Sequence, residues 1–225
     1  YDLNVQVEPE QHRLGVRGEI TLRNDSQTAQ KIAVLQISSS LDWRSVRAAD
    51  KPLQFVSQPY TSDIDHTGGL SEAIVTLPQP VAPRATVELQ IAYEGVILLD
   101  ASRLTRIGTP ADAANSTDWD QIDPSFTAVR GVGYVAWYPI ATEVANLSEG
   151  DSLFEVLGKW KARESASKMH LHIRVSRDDG EQPQELLVNQ APCKVLYEEM
   201  GRSSLRTADC TYQPLGLRIP LFVMA

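Results

Sequence analysis

The 225-residue chain lacks the His-Glu-x-x-His pattern, which sets two imidazoles one helical turn apart with a general-base Glu between them. Its histidines, His12, His66, His170 and His172, stand in no such spacing. It also lacks a Gly-rich phosphate cradle and a Gly-x-Ser-x-Gly nucleophile elbow. No catalytic, metal-binding or cofactor-binding residue is therefore expected in the chain as it stands. Positive charge is in short supply as well. Lys plus Arg at 21 against Asp plus Glu at 29 leaves a net charge of -8. That sign opposes the counterion release that drives binding to phosphate backbones, and it disfavours an anionic membrane surface. Neither nucleic acid nor a membrane is expected as a partner.

Long hydrophobic runs are missing. No stretch approaches the roughly 20 apolar residues that a spanning helix needs. Residues 1–10 already alternate like a strand and do not follow the basic-then-apolar order of an export leader. Because it opens on Tyr1 and ends at Leu221-Phe222-Val223-Met224-Ala225, the chain reads as a segment of a longer protein. Cysteine is nearly absent, with Cys193 and Cys210 the only two. They lie in strand-like runs joined by the turn-prone Glu198-Glu199-Met200-Gly201-Arg202-Ser203-Ser204. A hairpin closing there lays the runs side by side, and the sulfurs can meet if the register brings them to bonding separation. A disulfide implies an exported protein, periplasmic or on the outer face of a membrane. The alternative is a pair of buried thiols in a cytosolic fold.

What is present is strand patterning. With 42% hydrophobic residues the chain can bury a core, and 1–225 is expected to form one domain. Leu3, Val5 and Val7 form one apolar stripe, and Leu14, Val16, Ile20 and Leu22 a second. Val87, Leu89, Ile91 and Tyr93 repeat the period of two that puts one strand face on a core and the other in water. Further strands are expected over 31–37, 53–57, 73–77, 133–138, 168–177, 185–189, 194–197, 205–212 and 217–223. The Asp179-Gly180 pair suits a tight hairpin turn. Many short strands between Gly, Pro and Asp turns indicate a mainly β fold, an antiparallel sandwich or saddle of two sheets of unequal size. One short helix is expected over 151–166, where Leu153, Val156, Leu157 and Trp160 recur at helical spacing with Asp151 or Ser148 as cap. The run 108–125 has no periodicity and reads as a long mobile loop.

Several constellations carry both a chemical and a plain reading. His170 and His172 project from one strand face, a spacing that some metal sites use, but they share that face with Arg174. Asp118, Asp120 and Asp123 offer oxygens to calcium, yet lack the Gly and terminal Glu of an EF-hand loop and read as a solvated loop. Asn24, Asn115 and Asn146 stand in Asn-x-Ser/Thr contexts, which matter if the source glycosylates exported proteins. The densest aromatic cluster is Tyr134-Val135-Ala136-Trp137-Tyr138-Pro139. It is either core or inter-domain packing, or one wall of a cleft completed by a following domain, formed by Tyr134, Trp137 and Tyr138.

At this cluster a family resemblance emerges. An opening Tyr-x-Leu-x-Val strand precedes Leu14-Gly15-Val16-Arg17-Gly18-Glu19-Ile20-Thr21-Leu22-Arg23-Asn24. A leucine-rich strand then ends at Ser40-Leu41, followed by a strand at Val46, by Leu77-Pro78 and by a strand from Val87 to Glu94-Gly95. After a long loop comes Trp137-Tyr138-Pro139. This order resembles the amino-terminal domain of M1-family (gluzincin) metallopeptidases, the alanyl aminopeptidase and leukotriene A4 hydrolase group. The resemblance implies a β saddle packed on a catalytic domain of the same polypeptide, which follows it and carries the zinc. The chain would then shape a cleft for a peptide substrate without cutting it. The family's amino-terminal domain usually offers a Gln or Glu shortly before the Phe-Pro or Tyr-Pro to hold the substrate amine. Here Ala128, Val129 and Arg130 occupy that stretch, and no Gln or Glu stands between Asp123 and Tyr138, so that contact is not carried over. The helix near Trp160 is an insertion relative to the pattern. The alternative from another class is a free-standing interaction or adhesion sandwich, without a large exposed apolar patch.

Overall fold

The computed structural model describes residues 1–61, 69–106, 108–117, 121–129, 136–141, 148, 150–177, 186–188, 191–192, 194–200, 203–212 and 222–224. The alternating stripes become strands β1 (Asp2–Glu8), β2 (Arg13–Arg23), β3 (Gln30–Ser38), β4 (Leu41–Ala48), β5 (Lys51–Pro52), β6 (Phe55–Thr61), β7 (Gly69–Val81) and β8 (Thr86–Val96). Two short helices, α1 (Ser102–Arg106) and α2 (Ala111–Thr117), and a brief β9 (Thr127–Val129) follow. Then come α3 (Leu153–Glu164), β10 (Met169–Arg177), β11 (Leu186–Val188), β12 (Ala191–Pro192), β13 (Lys194–Met200), β14 (Ser203–Tyr212) and β15 (Phe222–Met224).

The mainly β sandwich is as expected, and among the described residues the strands fall in three sheets. The largest has eight strands in the order β13-β14-β10-β1-β2-β8-β4-β5; a second has four, β12-β11-β15-β9, and a third three, β3-β7-β6. Among the described residues all strand pairs but one are antiparallel. The exception is β1 beside β10, parallel, with Leu3 opposite Leu171 and Val7 opposite Val175. The inner face of the large sheet carries Leu3, Val5, Val7, Leu14, Val16, Ile20, Leu89, Ile91, Tyr93, Leu171, Ile173 and Val175, each at most 3% exposed. Against it pack Leu35, Ile37, Ala73, Val75 and Leu77 from β3 and β7. Trp43 Nε1 donates to the Ser71 carbonyl at 3.2 Å and ties β4 to β7.

Two glycines allow the strands to approach. A Cβ at Gly18 would lie 2.1 Å from the Asp2 carbonyl oxygen, and one at Gly95 2.0 Å from that of Ser40. Gly15, on the outer face, would meet only the Glu94 Cβ, at 4.0 Å.

Three local expectations are corrected. The helix begins at Leu153, with neither Asp151 nor Ser148 as its cap: the Ser152 hydroxyl accepts from the Glu155 amide at 3.2 Å, while Glu155 Oε2 accepts from the Asp151 amide at 3.0 Å. This is close to a capping box, which satisfies two donors at once. The run 108–125 is not structureless, since α2 lies within it and the Asp123 carboxylate accepts from the Ser125 amide and hydroxyl at 2.9 and 2.6 Å. Ala136 to Tyr138 form no strand; they belong to a segment running beside the free edge of β3, with paired Gln36 and Ile140 amides and carbonyls and a bond from the Ser38 amide to the Ala136 carbonyl.

Candidate functional site

Trp137 and Tyr138 are 1% and 0% exposed, packed within this chain's own core. Tyr134, the third residue of the expected wall, lies outside the described residues. Tyr93 reaches across from β8 and donates to the Trp137 carbonyl at 2.8 Å. The Tyr138 hydroxyl donates to Glu164 Oε2 at 2.8 Å and the Tyr1 hydroxyl to Glu164 Oε1 at 3.1 Å. The rings of Tyr1 and Tyr138 meet edge to face at 5.7 Å. Burial pushes both phenols well above the ordinary tyrosine range, and the Glu164 charge adds to it.

The carboxyl that receives these bonds sits at the end of α3, 3% exposed, one turn beyond Lys161. Lys161 is 7% exposed and among the described residues its Nζ has no hydrogen-bond partner; it lies 5.2 Å from the Trp160 ring centroid. Burial pushes its amine down, against a smaller upward pull from Glu164. This cluster is a buried tie between the helix and the 136–140 segment. It presents no group to solvent for chemistry.

The remaining sequence candidates are dispersed. His170 and His172 do face outward beside Arg174, with Met169, Leu171, Ile173 and Val175 buried behind them, and His170 Nδ1 lies 3.4 Å from Asp2 Oδ1. Among the described residues no group of three or more His, Cys, Asp or Glu side chains converges on a point. These residues therefore do not fit a zinc centre. Asp118 and Asp120 lie outside the described residues, as do Asn146 and the Asp179-Gly180 pair. Asn115 stands in α2. The Asn24 side chain is already engaged, its Nδ2 donating to the Thr28 and Val81 carbonyls, each at 2.8 Å. Cys210 is in β14 opposite Leu171, and the adjoining Asp209 pairs with Lys194 of β13; Cys193 lies outside the described residues.

The sequence reading missed an apolar outer face on the three-stranded sheet. Ile32, Val34 and Val56 are 55%, 41% and 62% exposed. Val34 and Val56 both pair with Ile74, so the three form one row across β3, β7 and β6. The next row is polar and mostly buried: Gln36 and Gln58 donate to the two oxygens of Glu72 at 2.8 and 2.9 Å. The signal was Ile32 and Val34 standing in phase with Gln36 and Ser38, a face that period alone assigns to water.

No family model matches the sequence and no curated relative is detected. The fold itself has solved counterparts. An M1 zinc metallopeptidase from Deinococcus radiodurans, a point mutant bound to a Tyr-Ser-Ala substrate, matches with a TM-score of 0.55 at 16% identity, over 99% of this chain and 41% of that one. Its unmutated form gives 0.53 at 16% identity, over 99% and 40%. The fold resembles that of the amino-terminal domain of M1 metallopeptidases. A further structure described as a two-domain M1 zinc metallopeptidase, bound to L-arginine, gives 0.53 at 16% identity, over 99% and 41%. The chain thus spans about two fifths of the length of the solved structures it matches.

Proposed function

We propose that this chain is a non-catalytic domain of an M1-like zinc metallopeptidase, an aminopeptidase, packed on a catalytic domain of the same polypeptide and narrowing access to its cleft. The observation that carries this reading is the alignment of 99% of the chain onto 41% of a zinc peptidase. The row of Val34, Ile74 and Val56, with the adjoining Ile32, supports it, because a following domain is a natural cover for such a face. The zinc ligands belong in that following domain. The domain contributes binding and exclusion of bulky substrates, with the backbone of the segment that carries Tyr134, Trp137 and Tyr138 leading to the cleft and the buried Trp137 and Tyr138 side chains anchoring it instead of meeting substrate. We further place the protein outside the cytosol, with Cys193 and Cys210 bridged. Intact mass unchanged by alkylation without reductant supports the bridge, and uptake of two alkyl groups refutes it.

The deciding experiment is to read the gene beyond codon 225. A His-Glu-x-x-His followed by a downstream Glu ligand sustains the metallopeptidase reading and directs assays to the full-length protein. A frame that stops there, or continues without zinc ligands, ends that reading and leaves a binding module.

A further inference from the structure

The outer face of the large sheet holds a charged trough. One hollow of about 330 Å³ is lined by Asn4, Arg13, Gly15, Arg17, His172 and Arg174, among others. A second, of about 620 Å³, adjoins it and shares Asn4, Arg17, Arg44 and Ala92. The register explains why there is a hollow. Gly15 pairs with Gln6 and Glu94, and Ala92 pairs with Arg17 and Ser45, so two of the smallest side chains floor a field of long polar ones. A bulge between Trp43 and Ser45 adds Arg44 as the extra residue of its strand. Bulges of this kind re-aim a side chain, and Arg44 lies across the trough onto Glu94, its Nε 2.9 Å from Oε1.

The charges along the trough are unevenly matched. Arg13 is held by Glu8 at 2.9 Å and also pairs with Glu94, whose carboxylate these arginines hold below the usual range. Among the described residues Arg17 and Arg174 have no acidic partner, and both are exposed. They stand on β2 and β10, two strands apart with Asn4 and Gln6 of β1 between them. In a chain of net charge -8 this is a local surplus of guanidinium, the group suited to planar oxyanions.

We propose that this trough binds an extended peptide segment bearing carboxylate side chains. The joined hollows are longer than a single oxyanion needs. Glu8 and Glu94 in the first hollow, and Asp2 and Glu19 in the second, would repel a uniform polyanion such as nucleic acid. A peptide can instead set its carboxylates opposite Arg17 and Arg174 and neutral groups opposite the glutamates. The assignment is independent of the metallopeptidase reading, since it uses only the outer face of the large sheet.

The test is fluorescence anisotropy of the purified chain with labelled octapeptides of alternating Ser-Glu, Ser-Gln or Ser-Lys, at low and moderate salt. Ser-Glu should bind at least about tenfold more tightly than the other two, and more weakly as salt rises. The double variant Arg17→Ala with Arg174→Ala should lose about tenfold or more of that affinity. Gly15→Leu, which fills the floor and leaves every charge in place, should lose a comparable amount; Lys31→Ala should lose none. Circular dichroism melts confirm that each variant is folded. Equal affinity for Ser-Glu and Ser-Lys overturns the proposal, as does full affinity in the double arginine variant. Binding that survives Gly15→Leu overturns the shaped site in favour of diffuse attraction, and displacement of the peptide by stoichiometric duplex DNA overturns the choice of ligand.

Discussion

The outer face of the three-stranded sheet and the outer face of the eight-stranded sheet both meet water, and their chemistry is opposite. On the first, Ile32, Val34 and Val56 expose apolar surface beside a Gln36–Glu72–Gln58 ladder whose Gln36 and Glu72 are buried. On the second, small residues at Gly15 and Ala92 open a hollow among arginines and glutamates. Apolar faces favour large, lasting contacts, whereas screened charges favour fast, salt-dependent ones. The chain therefore offers two kinds of surface, one suited to permanent packing and the other to a partner that comes and goes.

The largest effect is expected from breaking the scaffold that holds both faces. Gly18→Ala forces a Cβ against the Asp2 carbonyl and should cost about 3 kcal/mol or more in chemical denaturation, at or beyond the top of the usual overpacking range. Gly15→Ala, in open space, should stay within about 0.5 kcal/mol of the parent. Next in size, Glu72→Ala strips the shared acceptor from Gln36 and Gln58 and should cost about 2 kcal/mol, read from the same denaturation curves. It destabilises the apolar side without touching the trough, so Ser-Glu peptide binding should persist in the folded fraction.

A smaller change sharpens the contrast. Replacing Val34 and Val56 together by Ser should move stability by less than about 1 kcal/mol, since both side chains are exposed. It should lower binding of a hydrophobic dye and any self-association seen by light scattering. Unchanged dye binding would mean that the row is not the sticky surface of the chain. The smallest effect is the pH response of Glu94. Its hydrogen bond from Arg13, and then the Arg13 charge, hold its folded pKa below the unfolded value. Its contribution is therefore present above that unfolded value, near pH 4.3, and lost as the pH falls through the folded pKa. Glu94→Gln should flatten this part of the acid melting profile, and because the pairs are partly exposed the change should be slight.

How much of this was legible in the sequence depends on the range of the interaction. The stripes of Leu3, Val5 and Val7 and of Leu14, Val16 and Ile20 announce strands because the period of two is a local property. The helix over Leu153–Glu164 was legible for the same reason, and its cap moved to Ser152 because Ser152 stands three residues before Glu155, the reciprocal spacing that Asp151 does not offer. The three-residue β9 and the helices of five and seven residues at α1 and α2 are too short to show a period. The parallel contact of β1 with β10 joins residues more than 160 positions apart, which no local pattern encodes. The trough is partly written in the chain, since Gly15 and Ala92 interrupt runs of long polar residues. Only the register shows that they are neighbours across a strand pair.

That one parallel pairing also shapes how the protein is made. β1 is an interior strand, with β2 on one side and β10 on the other. As the chain leaves the ribosome, β2 arrives at once, but the opposite edge of β1 stays unpaired until Met169–Arg177 has been synthesised. At 5–20 residues per second that interval is roughly 10 to 30 s. Throughout it the nascent chain carries an open, alternating strand edge, the template on which unwanted intermolecular pairing begins. The polar outer side chains of β1, Asp2, Asn4, Gln6 and Glu8, make half of that waiting edge hydrophilic before the fold is complete.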